Sequence, residues 1–266
     1  MSELMVEAKG LQISYGWGRG AVRIVHGVDF TVERGRTLGV VGESGSGKST
    51  IAKALVGSLR PSGGSVRVAG LDLASASRQQ RAELRRRVQL IPQDPYSSLN
   101  PRRTIGQALA EALDPRGANV ARHRDKIQEW LEVVRMPADT IERYPHEFSG
   151  GQRQRIAIAR GLIREPDVVI ADEITSALDV SVQAEILTLL ARIRAELDLT
   201  MVFISHNLAV VQEVADDILV LLHGEAMESG PVDEVFAHPS SAYTRKLLSA
   251  VPGGPGFDIG AGVRAL

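Results

Sequence analysis

The chain contains no cysteine. That absence excludes disulfides, thiolate-held metals and iron–sulfur clusters, and it suits a reducing compartment. Charge of one sign is also lacking: 31 Lys and Arg stand against 32 Asp and Glu. No overall field therefore draws in nucleic acid, and any anion site must be built locally from backbone and a few charges. Long apolar runs are missing too. A stretch such as ILVLL at 218–222 is far shorter than the roughly 20 residues a membrane-spanning helix needs. The opening MSELMVEAKG has no basic region followed by an apolar segment, so it does not read as a secretion signal. These absences lead to the expectation of a chain that is soluble, or held at a membrane only through partners. There is no internal repeat, heptad run or low-complexity block.

What is present is a globular composition, 44% hydrophobic over 266 residues, enough for one large domain with a real core. Two β-rich segments, about 4–14 and 22–32, flank the glycine-rich GWGRG and read as an antiparallel pair. From Thr37 strands alternate with helices: TLGVV, the helix KSTIAKALVGSL, SVRVAG, the polar helix RQQRAELRR, and VQLIP. Residues 94–150 show helical runs near 104–113 and 120–135 and no convincing strand. The alternation resumes with DVVIA, a helix over 181–197, TMVFIS, a helix from Asn207, and DILVLL. Val182, Ile186, Leu189, Ile193 and Leu197 recur at helical spacing, so one face of that long helix is expected to pack on the sheet. Such alternation implies a mainly parallel sheet covered on both faces. The last 25 or so residues, rich in glycine and proline after VPGGPG, are expected to end in a loose tail.

GESGSGKS at 42–49 fits G-x-x-x-x-G-K-[ST] after a predicted strand and at the opening of a predicted helix. Gly42, Gly45 and Gly47 allow a loop whose N–H groups, with the helix N-terminus, face phosphate oxygens. Glu43, Ser44, Ser46 and Thr50 belong to the same wrap. Lys48 adds a point charge on the β- and γ-phosphates, and the Ser49 hydroxyl can ligate Mg2+. DVVIADE delivers Asp172 and Glu173 at the C-terminal end of a strand, where α/β sheets place ligands. Two acids ending a strand are by themselves more often a solvated edge or a helix cap. Beside a phosphate loop, Asp172 is expected to hold Mg2+, directly or through water, and Glu173 to polarise the attacking water. Gln93 and His206 each follow a strand. In a parallel sheet such ends converge, so both are expected to reach the γ-phosphate with Asp172 and Glu173.

FSGGQRQR at 148–155 raises a separate question. Ser149 and Gln152 make a capping box, yet the first helical positions are then Gly150 and Gly151, each roughly 1 kcal/mol worse than Ala within a helix. With GESGSGKS, Gln93, FSGGQ, VVIADE, SALD and His206 in this order, the chain resembles the ATP-binding subunit of an ABC transporter over about residues 4–250. The resemblance implies a domain over 1–250 with a P-loop NTPase core (1–93 and 165–225), carrying the antiparallel β subdomain. It also implies an inserted helical subdomain (94–164) and a C-terminal extension (226–266). It implies that Ser149, Gly150, Gly151 and Gln152 bind the γ-phosphate of ATP held by the other subunit's phosphate loop. The glycines then serve to bare a helix N-terminus for that nucleotide. Ser176 to Asp179 match the loop along the dimer seam, with Asp179 at the nucleotide, and Gln93 joins Ser49 and Asp172 around Mg2+. Tyr15 matches the aromatic that stacks on adenine, with Trp17 as the competing candidate. QDPYSSLNPR (93–102) and YTRKLLSAVP (243–252) resemble the importers of oligopeptides, dipeptides or nickel.

The implied partners are a second ATPase subunit, two transmembrane permeases and, indirectly, an extracytoplasmic solute-binding protein, with no nucleic acid. The implied place is the cytoplasmic face of the membrane. Three departures stand out: Ile174 where the family has proline, Asn207 where Asp is common, and His223 where Met is frequent. Ile174 frees a backbone N–H and is expected to loosen the loop beside Glu173. Two rival readings remain open from the residues. A small-molecule kinase explains the phosphate loop and VVIADE but leaves FSGGQ and SALD idle. An ABC ATPase acting on DNA or ribosomes would be expected to add coiled-coil arms, a second cassette or a basic face.

Overall fold

Two long strands open the chain, β1 (Leu4–Tyr15) and β2 (Val22–Glu33), paired antiparallel; the computed structural model describes residues 3–16 and 18–250. Next come β3 (Thr37–Gly42), α1 (Lys48–Leu55), β4 (Gly63–Val68), β5 (Leu71–Asp72), α2 (Arg78–Arg87) and β6 (Val88–Ile91). A helical stretch follows: α3 (Pro95–Ser98), α4 (Ile105–Leu113), α5 (Val120–Val133) and α6 (Gly150–Leu162). Strand and helix then alternate through β7 (Val168–Asp172), α7 (Val180–Leu197), β8 (Thr200–Ile204), α8 (Leu208–Val214) and β9 (Asp217–Leu222). The described chain closes with β10 (Glu225–Pro231), α9 (Val232–Ala237) and α10 (Ala242–Ser249).

The strands form two sheets, one ordered β2-β1-β4-β5 and antiparallel, the other β10-β9-β3-β8-β7-β6. In the second, only the β10–β9 pair is antiparallel. The pleat explains how one sheet serves two cores, because successive side chains point to opposite faces. On β8, Val202 and Ile204 join the cluster that holds α1 and the antiparallel sheet, while Met201 and Phe203 join the cluster that holds α4 to α7. β3 divides likewise, Leu38 and Val40 to the first and Val41 to the second. Each such fully buried side chain contributes about 1.5–3 kcal/mol relative to exposure. The sheet is thereby fixed against both layers, and the C-terminal ends of β3, β6, β7 and β8 lie along one rim.

One expectation is corrected here. Ile186, Leu189 and Ile193 of α7 are buried, but Leu197 is 41% exposed. The chain turns at Asp198, which has φ 49°, and it is Leu199 that enters the core. Beside Glu173, the Ile174 side chain is buried in the larger cluster, a packing contact that the sequence did not lead us to expect. Beyond Leu222 the chain adds β10 to the sheet and two helices, for which the hydrophobic pattern carried no expectation. Residues 251–266, where the loose tail was expected, lie outside the described residues. Among the described residues no helix is long and apolar enough to cross a membrane.

Candidate functional site

The phosphate loop leaves β3 and enters α1, and its glycines are there for two distinct reasons. Gly42, at φ 150°, passes so close to the Leu221 carbonyl and the Ser46 hydroxyl that a Cβ would not fit. Gly47 caps α1 in a left-handed conformation, φ 102°, with no side chain satisfying the helix's first N–H groups. Those groups and the positive end of the helix dipole are left for an anion. Lys48 is buried and donates to the carbonyls of Gly42 (2.8 Å) and Glu43 (2.9 Å). Desolvation lowers its pKa, opposed by the carboxylates of Glu173 and Asp172. The two carbonyls occupy two of its three N–H donors, so a phosphate oxygen is the natural further partner for this desolvated cation.

Four strand ends bring the polar group together. Ser49 donates to Asp172 Oδ1 at 3.1 Å, joining α1 to the end of β7. Burial pushes the Asp172 carboxyl up, the Ser49 hydrogen bond opposing it. Glu173 follows in a left-handed conformation, φ 49°, uncommon for a residue with a side chain. Its N–H extends the ladder to the Ile204 carbonyl (2.9 Å), and its own carbonyl takes both the N–H (3.1 Å) and the hydroxyl (2.9 Å) of Ser176. Gln93 Nε2, beyond β6, donates to Glu173 Oε2 at 3.0 Å, and His206 Nδ1, beyond β8, lies 3.3 Å from the same oxygen. The structure therefore assembles Lys48, Ser49, Gln93, Asp172, Glu173 and His206 into one cluster, as the parallel topology predicts.

The Ser149–Gln152 turn stands apart from that cluster. Its capping box is formed, with Gln152 N donating to Ser149 Oγ (3.3 Å) and Ser149 N to Gln152 Oε1 (2.9 Å). Among the described residues no hydrogen bond or ion pair joins it to its own phosphate loop. The two glycines also differ in a way the sequence did not reveal. A Cβ on Gly150 meets nothing nearer than Leu178 Cδ2 at 4.0 Å, whereas one on Gly151 falls 2.5 Å from Val182 Cγ1 of α7. The need for Gly151 is thus at least partly internal, set by the packing of α6 on α7. Only Gly150 fits the expectation of a position kept bare for something outside the chain.

The remaining expected residues fall around this frame. Asp179 caps α7, accepting from Val182 N (2.9 Å) and Ser181 Oγ (2.6 Å), and these bonds hold its carboxyl below the usual range. Tyr15 is exposed at the end of β1, paired with Val22, on the β2 side that also brings Ile24 and Val25 against Gly47. Trp17 lies outside the described residues. Asn207 caps α8 through Ala209 N at 3.1 Å. His223 sits at φ 48° in the β9–β10 turn. Sequence reasoning missed a cavity of about 840 Å³ between α2, α4 and α6, lined by Arg85, Arg86, Arg116, Arg160 and Arg164 against Glu111 and Asp114. These arginines come from the end of α2 (Arg85, Arg86), the segment after α4 (Arg116) and the end of α6 and just beyond (Arg160, Arg164), and packing brings the three groups together.

A family model described as "ABC transporter" matches residues 25–176, more than half of the chain. The chain belongs to the ABC transporter family, as one of its ATP-binding, ATP-hydrolysing subunits. Its relatives narrow the type. The di/tripeptide transport ATP-binding protein DppF of Pseudomonas aeruginosa is 50% identical over 236 residues, 88% of this chain and 73% of its own length. A putative peptide import ATP-binding protein of Brucella ovis is 45% identical, covering 93% of this chain and 78% of the relative. The dipeptide transport ATP-binding protein DppF of Escherichia coli K12 is 47% identical, covering 87% and 70%. Among solved structures, cbiO1 of Clostridium perfringens, part of the ABC transporter complex cbiONQ, superposes with TM-score 0.78 at 26% identity, covering 94% of this chain and 96% of that one. A dimeric ATP-binding cassette in a post-hydrolysis state with ADP and Pi superposes at 0.74 with 27% identity, covering 86% and 99%.

Proposed function

We propose that this chain powers the import of peptides or related small solutes, closing on a second ATPase subunit around ATP beneath two permeases at the cytoplasmic face of the membrane. The names of its relatives state di- or tripeptide transport for two of them and peptide import for the third, and a solute-binding protein outside the membrane completes the proposed assembly. The observation that carries the reading is the convergence of Gln93, Asp172, Glu173 and His206 beside Lys48 and Ser49. A shared γ-phosphate site needs a second half, and the open Gly150 at the start of α6 supports that role for Ser149–Gln152. The proposed ATP lies between the phosphate loop of one subunit and this helix start of the other, with Asp179 at the seam and Tyr15 stacked on adenine.

Ser49 Oγ and the Asp172 carboxylate are hard oxygen donors 3.1 Å apart beside the phosphate loop, a pair that suits Mg2+. Gln93, whose Nε2 is taken by Glu173, leaves its Oε1 as a third donor. When bound, the ion neutralises charge on the β- and γ-phosphates. Lys48, with two of its three N–H donors on the Gly42 and Glu43 carbonyls, gives the third to a phosphate oxygen. Glu173, aimed by Gln93 and the Ser176 turn, accepts the proton of the attacking water, and His206 orients it against the γ-phosphate. Segment 93–102 is tied to the same machinery, since Arg160 of α6 donates to the Ser98 carbonyl at 2.8 Å. A permease touching this segment therefore bears on the helix whose start faces the partner's nucleotide.

Glu173→Gln tests the reading. The variant should bind ATP, lose at least about a hundredfold in turnover as a general base is removed, and elute as a closed dimer with its natural partner subunit when ATP is present. Normal turnover would show that Glu173 is not the base.

A further inference from the structure

The C-terminal helix α10 reaches the phosphate loop. The Glu43 N–H donates to the Tyr243 hydroxyl at 3.3 Å, across 200 positions of sequence. That N–H belongs to the peptide between Gly42 and Glu43, and the carbonyl of this same peptide is the Gly42 oxygen that accepts Lys48 Nζ at 2.8 Å. One rigid plane therefore has the hydroxyl on one edge and the lysine on the other. The next carbonyl, that of Glu43, takes Lys48 Nζ and the Ser46 N–H (3.1 Å). We propose that Tyr243 is a positioning residue of the nucleotide site, its hydroxyl holding the Gly42–Glu43 peptide so that Lys48 is stationed for phosphate.

The helix is braced for this. Glu228 of β10 accepts from Ser240 N (2.7 Å), Ser240 Oγ (2.8 Å) and Ser241 N (3.2 Å), which fastens the chain just before Tyr243. Glu228 pairs with Val220 of β9, and Val220 pairs with Val41 of β3, one residue before Gly42. Clamp and loop thus hang from one row of the sheet, and the distance from Tyr243 to Glu43 is set by strand geometry. The Tyr243 ring packs against the larger core cluster, so ring and hydroxyl have separable tasks: the ring seats α10 and the hydroxyl reaches the loop. YTRKLLSAVP, which the site otherwise leaves without a role, acquires one in its tyrosine.

The inference rests on the phosphate-loop reading, and the experiment separates the two. In the full-length chain, a fluorescent ATP analogue is titrated against Tyr243→Phe, Glu228→Gln, the double variant and Lys48→Ala, with thermal melts without nucleotide alongside. Tyr243→Phe keeps the ring, so the melting temperature should stay within about 2 °C while nucleotide affinity weakens about threefold to tenfold, the loss of one hydrogen bond. In the assembled transporter KM for ATP should rise by the same factor with kcat within about twofold, a pure binding effect. Glu228→Gln should weaken affinity in the same direction, and the double variant should be no worse than Tyr243→Phe, because both act through one contact. Wild-type affinity in Tyr243→Phe, or a lowered melting temperature with unchanged affinity, overturns the inference. If Lys48→Ala also binds undiminished, the phosphate-loop reading itself fails. If only Lys48→Ala loses binding, the failure is confined to Tyr243.

Discussion

Asp172 shows how a residue at this site trades stability for chemistry. Its carboxyl is pushed above its ordinary value of 3.8 by burial, and Ser49 is its direct hydrogen-bond partner in the cluster. A carboxyl whose pKa is raised by folding binds its proton more tightly in the folded chain. Its charge is therefore fully unfavourable above the folded pKa, and the penalty fades as pH falls from there to 3.8, below which both states are protonated and it is gone. Asp172→Asn should raise the melting temperature of the nucleotide-free chain at pH 7 by about 1–3 °C and abolish Mg2+-dependent turnover. A lowered melting temperature would mean the charge is already compensated. The residue types at this site were legible in the sequence because GESGSGKS and VVIADE are local patterns. The resting partners of Lys48 were not, since they depend on how the loop closes on itself.

At the scale of the element, the start of α6 separates two demands that the sequence presents as one pair of glycines. Gly151→Ala places a methyl against Val182, and overpacking of this kind costs about 1–3 kcal/mol. Denaturant unfolding should show that loss, and Val182→Ala in the same chain should restore most of it. Gly150→Asp has room, so it should melt like the parent, yet turnover in the assembly should fall by at least about tenfold because a carboxylate then faces the γ-phosphate of the partner's ATP. Equal melting and equal turnover would remove the external role proposed for this helix start. The capping box was readable because it needs only a three-residue spacing. The contact with Val182 was not, because α7 lies 30 positions on and its angle to α6 is a packing outcome.

For the whole molecule, the proposed split site makes hydrolysis a property of a pair. Specific turnover should rise with concentration once the chain and its natural ATPase partner are mixed in dilute solution, and saturate as they associate. A solitary chain turning over at full, concentration-independent speed would overturn the paired reading. The α/β alternation, the antiparallel opening pair, the helical stretch and the ligand-bearing strand ends were all determined by the sequence alone. Those features follow from hydrophobic periodicity and short motifs, which act over a few residues. Only the tertiary structure decided that one sheet divides two cores, that Ile174 is buried among residues of distant elements, that arginines of α2 and α6 line one cavity, and that Tyr243 meets Glu43. Each of these joins residues far apart in the chain, and their meeting is set by sheet register and helix packing, which no local pattern encodes.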